Sequence, residues 1–353
     1  MASSTNYLWS EPDNTSLVKD GAQAIRTLGD AIDTSLWNSG FGQAGKNKLI
    51  NGDCTINQRA FTSSTTSGTY GFDRQYFTTS DGTVTYSAQT FTPGTAPVAG
   101  YEAKNYARIV TTAQTLTTAF SRYRSMLENV RNFAGQTTTY SFWAKAASGT
   151  PKIAIELVQS FGTGGSPSAN VNTYIGQVTL STSWARYSVT VNVPSISGKT
   201  IGTTDNTSSM WCEMWVSAGS SFDSRTGTLG IQTNTFDIWG LQWEYGAKAT
   251  PFQTASGGSI QGELAMCQRY YQLNDFYIEA YNTIGGVTGN QALWKVTTRV
   301  APTITFITAP TVNNVSAYSV VRNTIQGGEA QITNTALGGA YAFSGVYSVS
   351  AEL

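Results

Sequence analysis

The chain has 353 residues, and its 21 basic and 21 acidic residues cancel to a formal net charge of +0. That length is enough for two domains with cores of their own. Charged residues make up only 12% and no run of Lys or Arg occurs, which argues against a nucleic-acid binder or a polybasic membrane anchor. There is no histidine, so Ser-His-Asp and Cys-His catalysis, His-ligated zinc and imidazole acid–base chemistry have no residue to run on. Cys54, Cys212 and Cys267 are far apart, odd in number and without a Cys-x-x-Cys pair, a pattern that fits neither a disulfide framework nor structural zinc. No Asp-rich loop announces calcium, and no cofactor is expected. The start, Met1-Ala2-Ser3-Ser4-Thr5-Asn6, lacks a secretory pattern, and no apolar segment approaches the ~20 residues of a membrane span. The expectation is a protein made in a cytoplasm, without membrane insertion.

Residues 1–16 are polar and read as extended or irregular. Across 17–37 an apolar seam appears: Val18, Ile25 and Ile32 are seven apart, Leu28 lies between them, and Gly40, Gly42 and Gly45 follow. This predicts a helix of roughly 30 Å. Gly21, Gly29 and Ser35 interrupt the seam, so alone the helix is marginal. It either packs on its own domain or joins copies of the chain as a short parallel coiled coil. The second reading is preferred, and β-branched residues at a with Leu at d lean towards two strands.

Residues 49–255 read as the larger β-domain. Strands are predicted at 74–79, 83–91, 106–110, 138–144, 152–159, 173–180, 185–193 and 210–216, with a helical or irregular interruption at 122–133. Many even strands without helices between them predict an antiparallel, jelly-roll-like sandwich. The domain closes on Phe236-Asp237-Ile238-Trp239-Gly240-Leu241-Gln242-Trp243-Glu244-Tyr245, apolar on both faces as a central strand should be. Residues 256–273 hold a Ser/Gly-rich connector and a short helix. Residues 274–353 form a smaller β-domain, with strands expected at 276–281, 293–299, 303–307, 316–321, 330–333 and 342–351. In the last of these Phe343, Gly345, Tyr347, Val349 and Ala351 are assigned to one apolar face, expected to be buried within or between protomers. About eighty residues make a small core, to which a neighbouring copy would add stability. The fold class is therefore mainly β: an N-terminal helix, a sandwich and a C-terminal β-domain.

The junction also carries a resemblance. Its pattern Asp-Ile-x-Gly-x-Gln-x-Glu-x-Gly-x-x-Ala-Thr-Pro-Phe, then Glu263-Leu264 and Cys267-Gln268-Arg269-Tyr270-Tyr271, resembles bacteriophage tail-fibre and virion-fibre proteins. So do Asn47-Lys48-Leu49-Ile50-Asn51-Gly52-Asp53, with Gln58-Arg59 and Phe72-Asp73-Arg74, and Arg299-Val300-Ala301-Pro302 with the ending Ser350-Ala351-Glu352-Leu353. The resemblance implies a carbohydrate-binding-module-like sandwich, residues 1–48 serving virion attachment, and a virion location. It also implies a homotrimer, which the heptads do not themselves show, and a host-surface glycan as partner. A purely structural fibre or decoration protein is the alternative. A polysaccharide depolymerase is weighed as well, but the long β-helical repeat usual in such tailspikes is missing.

Within the sandwich, Met210-Trp211-Cys212-Glu213-Met214-Trp215-Val216 is the best candidate site. On a strand Trp211, Glu213 and Trp215 leave on one side, with indoles about 7 Å apart. They would stack sugar rings and accept hydroxyl hydrogen bonds, unless a loop, a domain or another protomer covers them. Glu156 and Glu213 would suit a glycosidase pair only within roughly 5–9.5 Å of each other, and nothing in the sequence brings them together. No catalytic residue is assigned. Trp239, Trp243, Arg269 and Tyr270 are read as packing and interdomain contacts, and Arg59, Asp73 and Arg74 as a structural ion pair or turn contact.

Overall fold

The computed structural model describes residues 2–3, 9–11, 20–38, 45–99, 101–204 and 206–353. Near the N-terminus β1 (Ala2–Ser3) and β2 (Ser10–Glu11) pair antiparallel, and α1 spans Gly21–Asn38. Trp9 Nε1 donates to Ser35 Oγ at 2.7 Å, tying the helix to this hairpin. Of the four seam residues, Val18 lies outside the described residues, Ile25 is 67% exposed, and Leu28 and Ile32 are half-buried. Most of the reading of residues 1–16 also falls outside the described residues.

Twelve antiparallel strands follow: β3 (Ser63–Ser64), β4 (Thr69–Tyr70), β5 (Gln75–Ser80), β6 (Thr83–Thr90), β7 (Asn105–Thr112) and β8 (Phe120–Glu128), then β9 (Thr137–Ala146), β10 (Lys152–Ser160), β11 (Val171–Thr179), β12 (Ala185–Asn192), β13 (Ser209–Ala218) and β14 (Asn234–Tyr245). They form two six-stranded sheets, ordered β11-β10-β13-β8-β5-β4 and β12-β9-β14-β7-β6-β3. Alternate residues from the two sheets fill one core, including Phe77, Tyr123, Ile155 and Met214 from the first and Tyr86, Phe142, Ile238 and Trp239 from the second. Between β13 and β14 a 3₁₀ turn (Ser220–Phe222) and α2 (Asp223–Thr226) fold back over the first sheet.

β8 corrects the helical or irregular reading of 122–133 over residues 122–128, while 129–133 form an irregular turn. Arg122 and Arg124 resemble helix-surface charges in the sequence, but they alternate with Ser121, Tyr123 and Ser125, which face inward, fully or almost fully buried. The period is two, and the arginines face outward between aromatic rings.

The junction motifs are structural brackets. Asn47 donates to Leu241 O at 3.0 Å and to Gln253 O at 2.9 Å, and its Oδ1 accepts from the Leu49 and Trp243 backbones. Asn51 ties Ile56 O to Asp73 O. Glu244 accepts from Thr250 N at 2.8 Å and Thr250 Oγ1 at 2.5 Å, closing the loop after β14. Gly240, with φ +67°, stands where the β14–β9 register shifts between Trp239 and Gln242. The shift lets Leu241 and Trp243 enter the same core as Phe236 and Ile238, from which simple alternation would part them.

Residues 254–259 form a hydrogen-bonded turn rather than a slack connector, since Glu263 Oε2 accepts from Ser256 N at 2.9 Å and Thr254 Oγ1 from Gly258 N at 2.8 Å. Ser259 caps α3 (Ile260–Gln268). The C-terminal unit then stacks two sheets, one of β15 (Tyr271–Asn282), β21 (Gly338–Ser350), β17 (Thr303–Thr308) and β18 (Thr311–Asn313), the other of β16 (Val287–Leu293), β20 (Gly327–Asn334) and β19 (Val315–Val321). Two readings change here. The strand expected at 293–299 runs instead over Val287–Leu293, and Trp294 and Thr298 turn inward to bond Gln326 O and Ile325 O. Phe343 is not buried with Tyr347: it is 36% exposed, whereas Ala342, Tyr347 and Val349 are buried. Ser344, at φ +59°, inserts an extra residue where the β15–β21 register shifts. Such a bulge reverses which face each side chain takes.

Candidate functional site: the outer face of the first sheet

Across the outer face of the first sheet the register sets Tyr76, Arg124, Glu213, Glu156 and Tyr174 in one row on β5, β8, β13, β10 and β11. Two residues along the strands to either side lie Arg122 with Trp215, and Met126 with Trp211. Aromatic rings and guanidinium groups alternate. Arg124 sits 4.8 Å from the Tyr76 ring centroid and 4.6 Å from that of Trp211. Arg122 lies 4.1 Å from Phe120 and 5.0 Å from Trp215, and Arg225 covers Trp215 at 5.0 Å. Stacking of this kind favours arginine over lysine, because the planar, weakly hydrated guanidinium gives up less solvation.

The two glutamates lie beneath this layer as direct cross-strand partners, a juxtaposition the sequence did not disclose. Glu156 is held by Arg225 through two bonds of 2.6 and 2.8 Å and by Trp215 Nε1 at 3.1 Å. Glu213 Oε2 accepts from Arg124 at 2.8 Å and from Trp211 Nε1 at 2.9 Å. Both carboxylates are buried and paired, so neither is open to a substrate as acid or base.

The three predicted site residues therefore part company. Trp211 is half-buried and stays at the surface. Glu213 is buried, but its Oε1 accepts nothing. Trp215 is 0% exposed, which corrects the picture of two open stacking platforms. Residues 220–229 roof it, with Phe222 at 5.1 Å, and Leu229 packs into the same small cluster. The residues missed were Tyr76, Arg122 and Arg124, which complete the open half of the face. The alternation in Arg122-Tyr123-Arg124 was the available signal. Burial lowers the pKa of Arg122, and Glu213, 3.9 Å away, only partly offsets that shift. Arg122 Nε and Arg124 Nε donate to nothing. The open half thus offers Tyr76 and Trp211 as half-buried ring platforms on either side of the Arg124 guanidinium, an amphipathic surface that matches polyhydroxylated ligands. Among the described residues, no group of three or more His, Cys, Asp or Glu could hold a metal. The three cysteines are free and buried, and burial pushes each thiol up.

No family model matches the chain and no curated protein matches it. Among solved structures, it is similar to the enzymatically active domain of tailspike protein 4 from bacteriophage CBA120, at 10% identity and a TM-score of 0.33, over 57% of this chain and 21% of that one. It is also similar to the family 11 carbohydrate-binding module from Clostridium thermocellum, in complex with a β-1,3-1,4-mixed-linked tetrasaccharide, at 11% identity and a TM-score of 0.31, over 53% and 98%. A xylan-binding domain from Paenibacillus barcinonensis follows at 9% identity and a TM-score of 0.29, over 54% and 99%. The chain thus spans about a fifth of the tailspike domain's length. At these TM-scores no functional argument rests on the likenesses.

The remaining sequence candidates form a latch between the two β-units. Glu352 is paired with Arg59 at 2.9 Å and with Arg74, and Arg59 also holds Asp73 at 3.1 Å. Arg74 lies 3.5 Å from the Tyr270 ring and Arg59 lies 3.6 Å from that of Tyr271. Glu128 receives Arg269 through bonds of 2.7 and 2.9 Å and the Tyr270 hydroxyl at 2.9 Å. Burial pushes the Tyr270 hydroxyl up to about 12. Arg299 donates to Ala351 O at 3.0 Å and Glu352 O at 2.7 Å, and Ala351 N donates to Tyr270 O. Trp239 and Trp243 are core residues of the sandwich.

Proposed function

We propose that the protein is a virion fibre of the phage tail-fibre kind that attaches to a host surface by binding its glycans, without cleaving them. The virion role rests on the sequence motifs at 47–74, 236–271 and 299–353. Glycan binding rests on one observation, the half-open row in which the Arg124 guanidinium lies between the Tyr76 and Trp211 rings. In this reading residues 1–48 join the fibre to other virion proteins, and the heptad seam of Val18, Ile25, Leu28 and Ile32 gathers copies of the chain into a homotrimer. Multiplicity then raises avidity: a millimolar site contributes about 4 kcal/mol, and linked copies gain roughly 10²–10⁴ in apparent affinity.

The test is a pull-down of labelled protein on a panel of bacterial strains, with soluble surface polysaccharide as competitor. Trp211→Ala combined with Tyr76→Ala should abolish binding while leaving the melting temperature within a few degrees. Trp215 is left intact, because its removal would open a buried cavity. Undiminished binding by the double variant would overturn the reading. The second reading, a fibre that only spaces and stiffens, is favoured by the sealing of Trp215, Glu156 and Glu213; it predicts no retention on any strain.

A further inference from the structure

The far end of the C-terminal unit carries a second aromatic face, separate from the first sheet of the sandwich. On β15 Tyr277, Glu279 and Tyr281 alternate with Phe276, Ile278 and Ala280, which pack into or against the core. Tyr277 is 59% and Tyr281 79% exposed, and a strand spaces them about 13 Å apart. On the neighbouring β21 the bulge at Ser344 turns Phe343 outward beside Tyr341, with ring centroids 5.2 Å apart at 37°. Both rings are more than a third exposed. Pairing places Glu279 opposite Tyr341, and Tyr341 opposite Asn313 on β18. Tyr281 faces Gly339, where a Cβ would meet nothing within 4 Å, so space lies open beside that ring.

We propose that this face is a second carbohydrate-binding site, and that it takes a neutral polysaccharide. Four exposed rings supply stacking surface, and Glu279 and Asn313 supply hydrogen-bonding groups among them. Glu279 is exposed and takes part in no salt bridge among the described residues. A second copy that pressed this same face onto it would set two Glu279 carboxylates together among the rings without a cation, which is costly. Sugar hydroxyls instead donate to it. The same charge, bonded by the Tyr277 hydroxyl but met by no cation, repels uronate chains, so selection for neutral glycans follows from the face itself.

Affinity electrophoresis of the full chain tests this in gels carrying β-glucan, xylan, galactan or mannan, with alginate as the acidic probe. At least one neutral gel should retard the protein and alginate should not. Tyr277→Ala with Tyr281→Ala should weaken that retardation about tenfold or more, with the melting temperature and light-scattering mass unchanged. Glu279→Gln should weaken it too, with all four rings retained and the Tyr277 hydroxyl still beside an acceptor. Trp211→Ala should leave it in place, which separates this site from the sandwich face. Equal retardation of the tyrosine double variant, no retardation by any neutral gel, or preference for alginate would each overturn the proposal. A fall in mass on losing the two tyrosines would overturn it in favour of a second copy as occupant.

Discussion

At the scale of single residues, the last strand separates packing from display. Tyr347 is buried among Phe276, Trp294 and Phe306, whereas Phe343 stands on the far side of the bulge. Tyr347→Ala should therefore cost about 3–5 kcal/mol, and Phe343→Ala no more than about 0.5 kcal/mol, read by thermal melting of the two variants. Equal losses would place Phe343 back in the core. Simple alternation put both on one face, because a sequence does not announce that Ser344 adopts a left-handed backbone. Gly52 is constrained by close packing instead. A Cβ there would fall 2.1 Å from Leu241 O, and Leu241 N bonds to Gly52 O. Gly52→Ala should lower stability by about 1–3 kcal/mol, and an unchanged melting temperature would mean that the bracket around Asn47 and Asn51 is looser than described.

At the scale of elements, most strands were legible because their period of two is strong: β10, with Ile153, Ile155 and Leu157 inward, is one case. β8 was not, since its outward residues are arginines held by aromatics and by Glu213 from other strands, and that stabilisation is tertiary. The same holds for the site. Alternation correctly sent Trp211, Glu213 and Trp215 to one side, but the roof over Trp215 comes from residues 220–229. The latch between the units was legible only as motifs without partners. Glu352→Ala would leave Arg74, 1% exposed, without its carboxylate, and breaking such a buried pair should cost about 3–5 kcal/mol. Limited proteolysis should then release the C-terminal unit early, while wild-type resistance would demote the latch. Acid should act on the same latch. Burial alone would raise the pKa of Glu128, but bonds from Arg269 and Tyr270 outweigh it and hold the group below its usual 4.5. A depressed carboxylate contributes stability that is complete above that usual value and lost as pH falls through the folded one. Asp73, raised chiefly by its burial, acts in the opposite sense, its contribution fading as pH rises through its folded value. Glu128→Gln should accordingly flatten the acid limb of a melting-temperature profile below about pH 4.5, and an unaltered limb would assign that loss to other carboxylates.

At the scale of the whole molecule, the proposed trimer leaves Ile25 on α1 as an exposed apolar anchor. Light scattering at micromolar concentration should return three times the chain mass, and Ile25→Asp should reduce it. A monomeric wild type would contradict the assembly. The central claim, glycan capture by the first sheet, has a reporter built into it, because the Trp211 indole N–H donates to Glu213 at 2.9 Å on the half-open row. The Trp215, Trp239 and Trp243 indoles lie wholly buried and donate inside the protein. In protein labelled with ¹⁵N at tryptophan, titration with surface polysaccharide from a strain that retains the fibre should move the Trp211 indole signal to saturation and leave those three in place. A Trp211 signal that stays put while the polysaccharide binds would contradict the account.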